Sequence, residues 1–140
     1  AICSENRALR NEEKSVMLVI DDDPDNLIAV RAILEHDFNN VFKVIHAESG
    51  KDGIDILSRV KPGIILLDIT LPDINGLVLI KSIKNFFAGR KVPVIAFTAL
   101  DLNEYRSKIM ASGFDDIITK PFEIEGFVEK IKKWSGEICL

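Results

Sequence analysis

Residues 16–24 read VMLVIDDDP, five apolar side chains followed by three aspartates and a proline. An apolar run this short, rich in β-branched residues, suits a strand covered on both faces. Asp23 before Pro24 reads as a helix start. A carboxylate there accepts from the first free N–H groups, and proline is preset for the first helical position. The stretch is thus strand, acidic turn, helix.

The same order recurs down the chain. Strand-like runs at residues 41–47 (VFKVIHA), 64–67 (IILL), 92–97 (VPVIAF) and 116–119 (DIIT) alternate with helical segments at 24–36, 51–59, 77–87, 102–111 and 123–134. Leu27, Val30, Ile33 and Leu34 give the first helix its apolar stripe, and Ile54 with Leu57 the second. Leu77, Ile80, Ile83 and Phe87 do so for the third, and Tyr105, Ile109 and Met110 for the fourth. Ile124, Phe127, Val128, Ile131 and Trp134 line the fifth. Five βα units predict an α/β fold: a single doubly wound domain with a five-stranded parallel sheet, helices on both faces and right-handed crossovers. The pattern fills residues 15–135, leaving 1–14 as a tail or linker and 136–140 as a C-terminal tail.

Composition agrees with one ordinary domain. The chain has 140 residues, 47% hydrophobic and 29% charged, enough to bury a core without disulfide or metal. A net charge of -4, from 18 basic and 22 acidic side chains, argues against bulk electrostatic binding to nucleic acid or to an anionic membrane. No apolar run approaches the roughly 18 residues of a membrane span, and the polar N-terminus has no signal-peptide core. Cys3 and Cys139 form no CxxC and no metal spacing with His36 or His46, so they read as free thiols in a reducing compartment. A cytoplasmic chain is expected.

In open α/β sheets, functional groups collect at the carboxyl ends of the strands. Asp21, Asp22 and Asp23 follow the first strand, Asp68 the third, Thr98 the fourth, and Lys120 with Pro121 the fifth. Each has a plain structural explanation on its own: a helix cap, a loop acid, a strand former, an exposed charge. Together they are a set of carboxylates, one hydroxyl and one cation at four strand ends. Clustered carboxylates ask for a cation, and an all-oxygen donor set suits Mg²⁺. An aspartate there can act as a nucleophile toward phosphorus, with the metal, hydroxyl and ammonium neutralising the phosphoryl oxygens. Two rival motifs fail on spacing. A phosphate loop at Gly50-Lys51 has Asp52 where Ser or Thr is needed, and a calcium loop from Asp21 has Asn26 in place of Gly and Ala32 in place of Glu.

The segments MLVIDDD, IILLDITLPDING, VIAFTA and ITKPF, in this order and separation, resemble the receiver (response-regulator) domain of two-component and phosphorelay signalling. The resemblance spans residues 17 to 134. It implies the CheY-like, flavodoxin-type strand order 2-1-3-4-5. It also implies Asp68 as phospho-acceptor and Asp22 as a direct ligand of Mg²⁺ (or Mn²⁺), assisted by Asp21 and by the backbone carbonyl of Thr70. Thr98 would be the switch hydroxyl, Lys120 the phosphoryl partner, and Pro121 would follow a cis peptide. The phosphoryl group would come from a histidine kinase or a histidine phosphotransfer protein. The output would be a change in binding of a downstream protein at the face of the fourth helix, fifth strand and fifth helix, with a homodimer compatible with the same reading. Neither nucleic acid nor membrane is a direct partner, and no turnover on an external substrate is implied.

Two positions depart from the family pattern. Ile117 stands where many receivers carry a switch aromatic. Leu100, one of two positions that tune acyl-phosphate hydrolysis, has no polar group, which predicts a long-lived phosphorylated form. The setting is a stand-alone regulator or a receiver segment of a larger protein such as a hybrid kinase. Lys130, Lys132 and Lys133 on the last helix offer charge to an acidic partner, or are a solvated face. Two alternative readings are a degenerate receiver used only for docking, and a haloacid-dehalogenase-type phosphatase with Asp21 as nucleophile.

Overall fold

β1 (Ser15–Ile20) leads into α1 (Pro24–Asp37), with Asp23 as N-cap accepting from the Asp25 N–H and Pro24 opening the helix, in the computed structural model. Residues 15–87 and 89–135 are described. The expected tails at 1–14 and 136–140, with Cys3 and Cys139, lie outside them. The chain continues through β2 (Phe42–Ala47), α2 (Gly50–Leu57), β3 (Ile64–Leu67), α3 (Gly76–Lys84), β4 (Val94–Thr98), α4 (Leu102–Ala111), β5 (Asp116–Thr119) and α5 (Ile124–Trp134). The five strands form one sheet in the order β2-β1-β3-β4-β5, and every pairing is parallel.

Strand alternation divides the core in two. Leu18, Ile20, Ile65, Leu67, Val94, Ala96 and Ile117 point to the face covered by α2, α3 and α4, where Ile56, Leu79, Ile80, Ile83 and Ile109 meet them. Met17, Val19, Ile64, Leu66, Ile95, Phe97 and Ile118 point to the other face, against Val30, Ile33 and Leu34 of α1 and Phe127 and Ile131 of α5. The central strands are covered on both sides, which is why they read as unbroken apolar runs. Edge strand β2 is only partly covered.

Several sequence boundaries and faces shift. β4 starts at Val94, not residue 92, and reaches Thr98. Pro93 has no N–H for the ladder, although its carbonyl still accepts from the Ile65 N–H at 3.0 Å. β2 starts at Phe42, because Asn39 and Asn40 take left-handed conformations, φ 49° and 59°, and residue 41 closes that turn. α2 runs from Gly50 to Leu57 rather than 51 to 59, with Ser49 as its cap. It buries Gly53, Ile56 and Leu57, while Ile54 is only half-buried. α3 starts one residue early, behind the Asn75 cap, and tightens at Asn85–Phe87 into a 3-10 turn that swings Phe87 into the core. Leu77 is only half-buried, and Leu79 takes the core position. α4 buries Ile109 but leaves Met110 42% exposed, so Met110 is no part of the core stripe. Glu123 is the N-cap of α5 rather than its first residue, and Ile124, 58% exposed, extends past the sheet into solvent. Periodicity marks which residues share a helical face, but not how far the opposing layer reaches.

Phe97 is the packing centre near the site end of the sheet. It is fully buried, with ring centroids 5.4 Å from Phe122 and 6.4 Å from Phe127. Phe97→Ala is expected to cost about 3–5 kcal/mol, as large-to-small changes at a filled aromatic site do, read as a fall in the denaturant midpoint.

Candidate functional site

The strand ladder continues one step beyond the strands, and that step builds the site. The Asp21 N–H donates to the Ala47 carbonyl at 2.9 Å, the Asp68 N–H to the Ile20 carbonyl at 2.9 Å, and the Lys120 N–H to the Thr98 carbonyl at 2.8 Å. These bonds place the residues after β1, β3 and β5 side by side at the carboxyl edge of the sheet. Lys120 Nζ then reaches Asp21 Oδ2 at 2.8 Å and Asp68 Oδ2 at 3.1 Å. It also lies 4.9 Å from the centroid of the Phe97 ring, a cation–π contact.

Asp21 is fully buried, and Asp68 is 3% exposed. Asp21 Oδ1 accepts from the Asp23 N–H at 2.9 Å, and its Oδ2 from Asn26 Nδ2 at 3.1 Å. His46 Nε2–H donates to the Asp21 backbone carbonyl at 2.7 Å. The other carboxylate oxygen of Asp68, Oδ1, is held by the Thr70 N–H at 2.9 Å and the Thr70 hydroxyl at 3.2 Å. Burial pushes the Asp68 carboxyl above its ordinary value, despite the Thr70 N–H and the Lys120 charge. Burial alone would push the Lys120 ammonium down, but the Asp21 and Asp68 carboxylates outweigh it and hold it above the usual lysine value.

Asp21, Asp22 and Asp68 each offer a carboxylate oxygen, and these atoms lie within 4.8 Å of one another. Asp22 is exposed, and with Asp68, Thr70 and Lys120 it lines an open cleft of about 730 Å³. Three carboxylates facing one ammonium leave negative charge uncompensated. An all-oxygen donor set of that kind fits a hard divalent cation such as Mg²⁺.

The sequence-derived set therefore converges, with distinctions. Asp21, Asp22, Asp68 and Lys120 come together, and Thr70 stands beside Asp68. Asp23 lines the cleft but uses its carboxylate to cap α1. Thr98 is fully buried at the end of β4, and its hydroxyl accepts from the Leu100 N–H at 3.1 Å rather than touching Asp68. The Lys120–Pro121 bond is cis. Lys130 is spent inside the chain. Its Nζ donates to Asp116 Oδ1 at 2.9 Å, and Trp134 Nε1 donates to Asp116 Oδ2 at 2.7 Å. Burial raises the Asp116 carboxyl, but the Trp134 and Lys130 bonds prevail and hold it below the usual range. Sequence reading missed Asn26, His46 and Asp73. His46 was accessible in principle: strand order 2-1-3 with His46 paired to Val19 puts it next to the acidic turn.

A sequence model described as the response regulator receiver domain matches residues 17–132. The polar-differentiation response regulator DivK of Brucella ovis is 33% identical over 124 residues, covering 89% of this chain and 98% of DivK. Histidine kinase P4 of Formosa agariphila is 28% identical over 124 residues, and there the chain spans only 9% of the larger protein. A two-component response regulator from Clostridium difficile superimposes with a TM-score of 0.77 at 26% identity, over 86% of this chain and 95% of that one. The receiver domain of a Pseudomonas aeruginosa sensor histidine kinase, solved with a magnesium ion coordinated in its active site cleft, gives 0.75 at 27% identity, over 88% and 98%.

The raised Asp68 carboxyl has a consequence for stability. A carboxyl whose folded pKa lies above its unfolded value weakens folding as pH rises through that range, and the penalty is complete at neutral pH. Asp68→Asn is expected to raise the thermal midpoint at neutral pH, with the gain vanishing at about pH 3, where the carboxyl is protonated in both states.

Proposed function

We propose, on the premise that this chain belongs to the response regulator receiver domain family, that Asp68 accepts a phosphoryl group from a phosphohistidine. The observation that carries this is the Lys120 ammonium bridging Asp68 and Asp21 at the floor of an open, acid-lined cleft. A carboxylate oxygen of Asp68 forms the bond to phosphorus as the phosphorus–nitrogen bond breaks, and the electron pair returns to the imidazole of the donor. Asp21, Asp22, Asp68 and the Thr70 carbonyl would hold Mg²⁺ (or Mn²⁺), which when bound neutralises phosphoryl oxygens. Lys120 pairs with a phosphoryl oxygen, and the buried Thr98 hydroxyl turns from the Leu100 N–H to the new group. The chain assists its own phosphorylation and dephosphorylation, and is not a turnover enzyme on an external substrate.

Receiver family membership implies a histidine kinase or phosphotransfer protein as donor, and we place the chain with such partners in the cytoplasm. Residues 15–135 form the working unit, stand-alone or as a segment of a larger protein. The output reading uses the α4–β5–α5 face, where Leu102, Arg106, Ile117, Phe122, Gly126 and Lys130 border a groove of about 410 Å³. Ile117 is buried at 2% exposure and has no ring to swing outward, so the shift passes through loop and backbone movement. A downstream protein or a second copy of the chain would read it.

Incubation with Mg²⁺ and acetyl phosphate should label the parent chain and Asp21→Asn more weakly, but not Asp68→Asn. Labelling that survives Asp68→Asn overturns the assignment, and an unlabelled parent supports a docking role alone. Leu100 packs, half-buried, against the α2–α3–α4 core and offers no group to orient a water. Leu100→Asn is expected to shorten the half-life of the acyl phosphate several-fold, followed by loss of label after the donor is removed.

A further inference from the structure

We infer that Asp73 is a positioning residue for the acceptor: it fastens the loop after β3 to the first turn of α2, and through that loop fixes the Asp68 carboxylate. The inference rests on Asp68 being the acceptor.

Asp73 bonds in two places at once. Its Oδ1 accepts from the Gly50 N–H at 2.9 Å and its Oδ2 from the Lys51 N–H at 2.9 Å. α2 already has a local cap, the Ser49 hydroxyl accepting from the Asp52 N–H at 3.1 Å. Asp73 takes different donors and does so from a separate segment of chain. A carboxylate at a helix N-terminus is favoured by the aligned peptide dipoles, and the Gly50 and Lys51 N–H groups hold the Asp73 carboxyl below the usual range. The contact is close as well as polar. A Cβ on Gly50 would fall 2.3 Å from Ile74 Cγ2 and 3.1 Å from Leu79 Cδ2, so the loop lies directly on the helix end.

The other end of the loop closes on the acceptor itself. The Gly76 N–H donates to the Ile69 carbonyl at 2.7 Å, and Thr70 pairs with Asn75 in an antiparallel bridge. A Cβ on Gly76 would stand 2.7 Å from Ile69 Cα and 2.8 Å from the Asp68 carbonyl oxygen. Residues 69–75 thus make a ring with its base against the Asp68 backbone and its tip tied to α2. Thr70 belongs to that ring and supplies both bonds to Asp68 Oδ1. Asp73 is exposed and far from the carboxylate cluster in bonding terms, so its route to the chemistry is through Thr70.

The test compares the full chain with Asp73→Ala and Asp73→Asn by three measurements: Mg²⁺ affinity by calorimetry, exchange of the Thr70 amide by NMR, and labelling by acetyl phosphate. Asp73→Ala is expected to speed Thr70 exchange, weaken Mg²⁺ binding several-fold and slow labelling. Asp73→Asn keeps one acceptor oxygen and should recover a large part of all three. If Asp73→Ala lowers only the thermal midpoint, leaving Mg²⁺ affinity and Thr70 exchange at parent values, Asp73 is a helix cap and the inference falls. A parent chain that is not labelled would instead overturn the acceptor reading, while the first two measurements still decide the role of Asp73.

Discussion

Everything at the carboxyl edge of the sheet depends on one ammonium. Lys120 sits between two carboxylates that are almost out of contact with water, and neither could be kept there charged without a counter-ion. Its own position is set from two directions: a backbone bond to the end of β4, and the face of Phe97 beneath it. The aromatic packing of the α1–α5 side therefore supports the polar chemistry of the cleft, and changes to the core around Phe97 act on the site as well as on stability. The ammonium does not neutralise the cluster. Asp22, outside its reach and open to solvent, keeps the cleft acidic.

Much of this was legible in the sequence because strand ends in a parallel sheet are constrained. Once VMLVIDDD, IILLD and ITKPF are read as strands that finish in charge, the topology alone brings Asp21, Asp68 and Lys120 to one edge. The losses have physical causes. VPVIAF looked like a strand from residue 92, but Pro93 cannot donate to the ladder. Met110 and Ile124 fit the helical stripes, yet stand where no opposing layer covers them. Asn26 and His46 act through one bond each, and Asp73 through two, across turns or between neighbouring segments, and no periodicity announces bonds of that kind.

The last helix shows how a charge pattern misleads. Lys130, Lys132 and Lys133 read either as charge for an acidic partner or as a solvated face. Lys130 instead turns inward to Asp116 and the Ile117 carbonyl, and Trp134 holds the other oxygen of the same acid. The start of β5 and the end of α5 are thereby tied at two points. Ile117, buried next to Asp116 in β5, lies beside that tie.

The distance along the chain between the two halves of the central ion pair is 99 residues. Contacts of that separation form only after the intervening loops have been closed. The acids of β1 and β3 neighbour each other through the pairing of those strands, but their counter-charge follows β5, the last strand in the sequence. Without β5 in the sheet, Asp21 and Asp68 would lack the ammonium that pairs with both. The charge balance at Asp21 and Asp68 is therefore a property of the sheet with β5 in place.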